Sequence, residues 1–145
     1  MLDKLLDLFR EEDPDSGAGI NHEAAAAALM FEVVWADHDI GETEMAVMAT
    51  QLAELFALQP ERVQALLAQA TQDHEESVGL YPFTRALNDQ LTADAKFEVV
   101  RALWQIAYAD ARIDRFEEHT IRRIAELLYV PHKQFIEAKH LARDS

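Results

Sequence analysis

Residues 30–37 (MFEVVWAD) and residues 103–110 (LWQIAYAD) are the stretches of this 145-residue chain that decide its fold. At an offset of 73, every apolar residue of the first stretch faces an apolar residue of the second, and both stretches end in Ala-Asp. An isoleucine and a glutamate then recur at the same spacing, so that each copy reads Asp-x-x-Ile-x-x-x-Glu.

The correspondence extends into the following helix of each half. Glu44 aligns with Glu117 and, after one residue is dropped, residues 52–55 (LAEL) align with residues 124–127 (IAEL). Unrelated amphipathic helices would share apolar spacing, but not the same acidic junction twice. The pattern therefore predicts an internal duplication of a three-helix unit, with the two copies packed around one core.

Composition predicts an all-α protein. Half of the residues are hydrophobic, only four are glycine and four are proline, and no segment shows the two-residue alternation of a strand. A chain of this length forms a single domain, which we expect to contain about seven to eight helices. The expected helices cover residues 1–12, 21–37 and 42–58, and a fourth helix runs from Pro60 to a polar bend at 73–79. The fifth covers 81–90, and the sixth has Thr92 as its N-cap and reaches residue 110. The last two cover 115–129 and 132–143.

The apolar positions of these helices predict the core. We expect the aromatic residues among them to pack rather than to form a cofactor site. The predicted core residues are Phe31, Val34, Trp35, Met48, Leu52, Phe56, Leu103, Trp104, Ile106, Tyr108, Ile121, Ile124 and Leu128.

Residues 1–20 are predicted to form an N-terminal amphipathic helix and a linker, followed by the duplicated helical domain over residues 21–145. Four apolar residues recur at helical spacing near the start, and residues 13–19 (DPDSGAG) break the pattern. Packing of this helix on the main body is the favoured role. Docking to a partner or to a membrane surface is the alternative, although the acids at residues 11–13 would repel anionic lipid.

The charge balance excludes several classes of partner. The chain carries 27 acidic and 13 basic residues, a net charge of -14, and lacks the Lys/Arg cluster that nucleic-acid binding requires.

The chain has no cysteine, which excludes disulfides, thiolate catalysis and cysteine-ligated metals. Without an apolar run of spanning length or the residue order of a secretion signal, we expect a cytoplasmic protein with no membrane span. An acidic surface suits cations or basic protein surfaces, so an unknown protein partner stays open.

Asp37 and Asp110 occupy matching places at the ends of predicted helices. In a last turn the helix dipole disfavours a carboxylate by a few tenths to about 1 kcal/mol, so both residues call for compensation. A bound cation is one compensating partner. Arg112 beside the second aspartate is another, and capping of the following helix is a third.

Glu44 and Glu117 lie in predicted first turns, where the helix dipole favours acids. Asp114-x-x-Glu117 is also typical of a capping box, in which the glutamate bonds back to the N-cap residue. A structural role is therefore the favoured interpretation of the two glutamates. A site that pools acids from both copies stays open, because oxygen ligands suit magnesium, calcium or manganese.

The sequence shows no catalytic constellation, and we expect no enzymatic activity. Residues 37–44 superficially resemble a calcium loop, but the glycine and the glutamate fall fifth and eighth instead of sixth and twelfth. Glu137-x-x-His140 is one half of the paired motif of di-iron bundles and has no second copy. Gly-rich phosphate loops and the G-x-S-x-G elbow are also missing.

The repeated Ala-Asp-x-x-Ile-x-x-x-Glu, between an aromatic-rich helix and an Ala-Glu-Leu helix, resembles the tellurite-resistance protein B (TerB-like) family over roughly residues 23–142. It is most similar to the short, stand-alone bacterial members. In that family a glycine commonly follows the loop aspartate, whereas this chain has His38 and Ala111 there. The resemblance implies an all-helical fold of seven or eight helices and a metal site formed by Asp37, Glu44, Asp110 and Glu117.

Two functions follow from the resemblance. The first is a non-enzymatic protein that binds a divalent cation (Ca, Mg or Mn) and is linked to tellurite or metal stress. The second is a protein–protein interaction module without metal, because similar domains also occur in DnaJ-like co-chaperones.

Deletion of residues 1–12 should lower the melting temperature if this segment packs on the core. Burial of Leu5, Leu6 and Phe9 is worth roughly 1.5–3 kcal/mol each when complete. Thermal denaturation followed by circular dichroism measures the effect. An unchanged melting temperature would indicate that the segment contributes only to partner binding.

Overall fold

The computed structural model describes residues 19–35, 41–76, 78–110, 113 and 115–144, with the side chain of Asp110 excepted. These residues form helices and connecting turns, with no strand among them, so the all-α prediction is confirmed. The predicted N-terminal helix lies outside the described residues. The elements are α1 (His22–Trp35), α2 (Glu42–Phe56), α3 (Pro60–Glu75), α4 (Tyr81–Gln90), α5 (Ala93–Ala107), a 3-10 turn (Tyr108–Asp110), α6 (Arg115–Leu127) and α7 (His132–Asp144).

The predicted helix starts are confirmed by their caps. Asn21 precedes α1, and its Oδ1 accepts hydrogen bonds from the backbone N–H groups of Glu23 (2.6 Å) and Ala24 (3.3 Å). Thr92 precedes α5, and its Oγ1 accepts from the Ala95 N–H at 3.1 Å. These oxygens satisfy backbone donors that have no partner inside the helix.

Several helix ends differ from prediction. α2 ends at Phe56 instead of residue 58, because Ala57 takes a left-handed conformation, and α5 gives way to the 3-10 turn at Tyr108. α3 runs to Glu75, into the predicted bend, because Gln69–Asp73 (3.0 Å) and Gln72–Glu76 (3.1 Å) hydrogen bonds between side chains four residues apart support its last turn. α6 ends at Leu127 instead of residue 129, because Tyr129 takes a left-handed conformation that no α-helix continues through.

α1 is the central helix. It packs most extensively on α3 and α4 and also contacts α2, α5 and α6. Residues 25–31 and both Val33 and Val34 are buried, so α1 is apolar on almost every side, as expected of a helix surrounded by others. The four alanines at 25–28 allow neighbouring helices to approach closely.

Ten of the thirteen predicted core residues are buried, and Trp35 is the main correction. Trp35, the last residue of α1, is 37% exposed. Its ring stacks on Phe31 (6.1 Å between centroids) and contacts His74 (4.6 Å) instead of entering the core. Phe56 and Tyr108 are only partly buried. The prediction missed the buried residues Ala25, Ala26, Ala27, Ala28, Leu29, Met30, Phe83, Leu87 and Phe135.

The two halves pack in corresponding ways. α1 packs on α3 as α5 packs on α7, and the middle helix of each half contacts the first helix of the other, α2 on α5 and α6 on α1. The third helices bury side chains at the same spacing. These side chains are Val63, Leu66 and Ala70 in α3, and Phe135, Ala138 and Ala142 in α7.

The middle helices also end alike. Ala57 (φ 53°) follows α2 and Tyr129 (φ 60°) lies at the equivalent place after α6, both in the left-handed region. The next residue of each copy donates its N–H to a carbonyl five residues earlier, Leu58 to Ala53 (3.1 Å) and Val130 to Ala125 (3.0 Å). Both ends are Schellman motifs, which satisfy the last carbonyls of a helix. The duplication itself stays a prediction, and these matched ends support it.

Ala57→Gly should raise the free energy of unfolding by about 1 kcal/mol, because glycine adopts the left-handed conformation without the steric cost borne by alanine. Urea denaturation measures it. The control is Ala65→Gly on the exposed face of α3, which should lower stability by about 1 kcal/mol. Equal losses in both variants would contradict the Schellman assignment.

Candidate functional site

Of the four predicted site residues, the structure describes the side chains of Glu44 and Glu117. Both lie in first turns, Glu44 in α2 and Glu117 in α6, and both are buried, with 7% and 1% of their surface exposed. Asp37 lies outside the described residues. Asp110 ends the 3-10 turn after α5, and only its backbone is described.

Glu44 has a defined structural role. Its Oε1 accepts a hydrogen bond from the backbone N–H of Gly41 at 3.2 Å, three residues earlier. Gly41 is the N-cap of α2 in extended conformation and has no side chain to return the bond, so only the glutamate half of a capping box forms. The first-turn position predicted for Glu44 is therefore confirmed, and its bond to Gly41 is a cap that the sequence pattern did not predict. Asp114, the proposed cap partner of Glu117, lies outside the described residues.

The burial of the two glutamates is unusual for their residue type. Glutamate is almost never fully buried unless it is paired, because an uncompensated carboxylate loses its hydration. Glu44 and Glu117 occupy corresponding positions of the two halves, and Glu117 is the more deeply buried of the two. Both positions therefore require hydrogen-bond donors or positive charge close by.

The packing brings the helix that carries Glu44 against a turn of the other half. α2, which carries Glu44, contacts the 3-10 turn that ends in Asp110. Within the described residues, no three His, Asp or Glu side chains form a cluster. A cation site would therefore need ligands from the loops at residues 36–40 and 110–114.

Residues 23–140 match the family model described as tellurite resistance protein TerB. The chain belongs to this family. The match begins in the first turn of α1 and ends in α7, so it covers both halves of the TerB-like domain. Neither the search of curated proteins nor the search of solved structures found a match. None of the helices in the described part of the chain is both long and apolar enough to span a membrane.

Two surface features of this TerB-family domain escaped the sequence analysis. Exposed Tyr81 and Tyr129 flank a cleft of about 230 Å³ between α4 and the end of α6. In the first half, His74 Nδ1 lies 2.9 Å from Glu32 Oε1 and joins α3 to α1 beside Trp35. Neither feature has a sequence signal of its own, because each joins residues from helices far apart in the chain.

Glu44→Ala should lower the free energy of unfolding by about 1 kcal/mol, because the Gly41 N–H loses its acceptor. Glu44→Gln should cost less, since the amide oxygen can replace Oε1. Urea denaturation without added metal measures both.

The control for this comparison is Glu42→Ala, which removes an exposed acid from the same first turn. It should cost only a few tenths of a kcal/mol. A loss equal to that of Glu44→Ala would mean that the dipole, and not the bond to Gly41, explains the effect.

Proposed function

We propose that this TerB-family domain is a non-enzymatic protein that binds a divalent cation and acts in the response to tellurite or metal stress. The ligands are Asp37 and Glu44 from the first copy and Asp110 and Glu117 from the second. The observation that carries the proposal is the burial of a glutamate carboxylate at the same place in both copies.

The donor set fits a hard cation. Carboxylate oxygens are the ligands that Ca²⁺, Mg²⁺ and Mn²⁺ prefer, and the sequence offers no cysteine for a softer metal. When bound, the cation would supply the positive charge that buried carboxylates require and would join the loops of the two halves. The contact of α2 with the turn ending in Asp110 supports a pooled site.

The position of Asp110 also favours a cation. The residue ends the 3-10 turn that directly follows α5, so its backbone lies at the negative end of that helix. The net charge of -14 adds further repulsion between acids. A bound cation relieves both effects. Catalysis is not part of the proposal, because the sequence lacks a nucleophile–base constellation.

A metal titration of the wild type and of Asp37→Asn/Asp110→Asn tests the proposal. Without metal, the double variant should keep or slightly gain stability, because dipole and like-charge repulsion are relieved. Calcium, magnesium or manganese should stabilise the wild type by about 2.7 kcal/mol at one hundred times the dissociation constant. The double variant should lose most of that gain.

The matched control is Glu75→Gln/Glu126→Gln. These two exposed acids lie in the last turns of α3 and α6, so the control removes the same charge and the same kind of dipole repulsion away from the loops. It should keep the full metal response. Sodium chloride at matched ionic strength corrects for screening. A wild type that responds to none of the three cations would refute the metal proposal.

The second candidate is a protein–protein interaction module, as in a co-chaperone-like scaffold. It is favoured by a specific observation, since the large aromatic rings of Tyr81, Phe116 and Tyr129 are mostly exposed. Tyrosine is enriched among residues that dominate binding energy at interfaces. Failure of the metal titration would leave this candidate in front.

A further inference from the structure

The cleft between α4 and the end of α6 combines apolar and charged groups. Tyr81 is 65% exposed and Tyr129 is 79% exposed, and Leu127, the last residue of α6, also lines the cleft. Arg85 and Asp89 extend from the exposed side of α4 along the same cleft. Exposed rings beside a concave surface of this kind are typical of a docking site for an apolar helix face.

The backbone conformation of Tyr129 is energetically unfavourable for a tyrosine. A bulky residue at a φ of 60° is a conformational outlier, and the left-handed cap favours glycine. The equivalent residue of the first copy, Ala57, forms the same Schellman bond, so the cap itself does not require a large side chain. The Tyr129 ring also buries little of its surface. Within the described residues the ring has a cation contact from Lys96 but little packing, and an occupant of the cleft would bury it.

The chain enters the domain beside this cleft. Gln90, the last residue of α4, donates from its side chain to the Ile20 carbonyl (2.8 Å) and accepts from the His22 N–H (2.9 Å). Residues 19–22 are thereby held at the end of the helix that lines the cleft. The seven residues from 13 to 19 span up to about 24 Å when extended, more than the roughly 15 Å length of α4.

The N-terminal segment has the apolar spacing and the acidic charge that suit an occupant of this cleft. Leu2, Leu5, Leu6 and Phe9 recur at helical spacing, and an amphipathic helix needs a surface for its apolar side. Residues 1–13 carry five acids against two bases. Arg85 and Asp89 are both exposed along the cleft, and the Lys96 ammonium lies 5.9 Å from the centre of the Tyr129 ring, so two bases against one acid suit an acidic segment.

The groove between α2 and α5 is the competing surface. It includes Val47 and Thr50, but it continues into a polar stretch with Glu54 and Glu98. Arg101 also lines this stretch and pairs with Glu98, so it offsets only one of the two acids and the net charge disfavours an acidic segment. One end of this groove includes Thr43 and therefore lies near the start of α2. His22, where the chain enters the domain, contacts Phe56 at the opposite end of that helix.

We propose that residues 1–12 of this chain form a helix that docks in the cleft between α4 and α6 and covers Tyr81 and Tyr129. The segment thereby occupies the surface that the interaction-module candidate would offer to a partner. Its release would expose two tyrosines. This proposal does not depend on metal binding.

Paramagnetic relaxation in the full chain tests the docking. The sequence has no native cysteine, so Asp7→Cys, on the polar side of the predicted helix, takes a single nitroxide label. The backbone amide signals of Thr84, Asn88 and Tyr129 should lose more than half of their intensity relative to the reduced label. The amides of Val47 and Thr50 should keep theirs.

Further variants of the labelled chain show whether the apolar side causes the contact. Leu5→Ser/Phe9→Ser should restore the signals of the cleft, and Tyr129→Gly should restore them at least in part. Lys4→Ser, on the polar side, is the control and should leave the broadening unchanged. The dispersed amide spectrum verifies in each case that the domain is folded.

Three results would overturn the proposal. Cleft signals of full intensity in the labelled wild type would mean that the segment does not dock there. Broadening at Val47 and Thr50 instead would place it in the groove between α2 and α5. Broadening of a ¹⁵N-labelled chain by a separate nitroxide-labelled copy would show that the occupant comes from a second molecule.

Discussion

The burial of α1 on nearly all sides is the constraint on which the rest of the structure depends. Residues 25–31 lose almost all contact with solvent because five other helices surround them. Alanine side chains at positions 25–28 let backbones approach, and a larger residue there would force neighbouring helices apart at a cost of typically 1–3 kcal/mol. The arrangement of α3, α4 and α5 therefore follows from the small side chains of one helix.

The same packing places the acidic junctions. The middle helix of each half packs on the first helix of the other, and the glutamate of its first turn is buried although Glu42 and Phe116 beside these glutamates are exposed. Glu44 offsets lost hydration through the Gly41 N–H. The matched burial of these two acids is the feature on which the proposed function of this TerB-family domain rests.

Corresponding positions of the two halves show which side chains the backbone conformation explains and which it does not. Ala57 and Tyr129 end their helices with the same backbone conformation and the same hydrogen bond, so the backbone explains the cap and leaves the tyrosine ring unexplained. Phe31–Trp35 and Trp104–Tyr108 are likewise equivalent aromatic pairs. Their first members, Phe31 and Trp104, are both buried, whereas Trp35 is exposed beside His74 and Tyr108 is only partly buried.

By itself the sequence determined the helices, their caps and most of the core, because these depend on short-range patterns such as apolar spacing and the side chains of Asn21 and Thr92. It also indicated four acids at repeated positions, of which the structure places the glutamates in buried first turns. It could not show that the alanines of α1 lie at the centre or that Trp35 lies at the edge. Burial at these positions depends on which helices surround a residue, and that is a property of long-range packing. Only the tertiary structure brought Tyr81 beside Tyr129 and Glu32 beside His74, since each pair joins residues more than 40 positions apart.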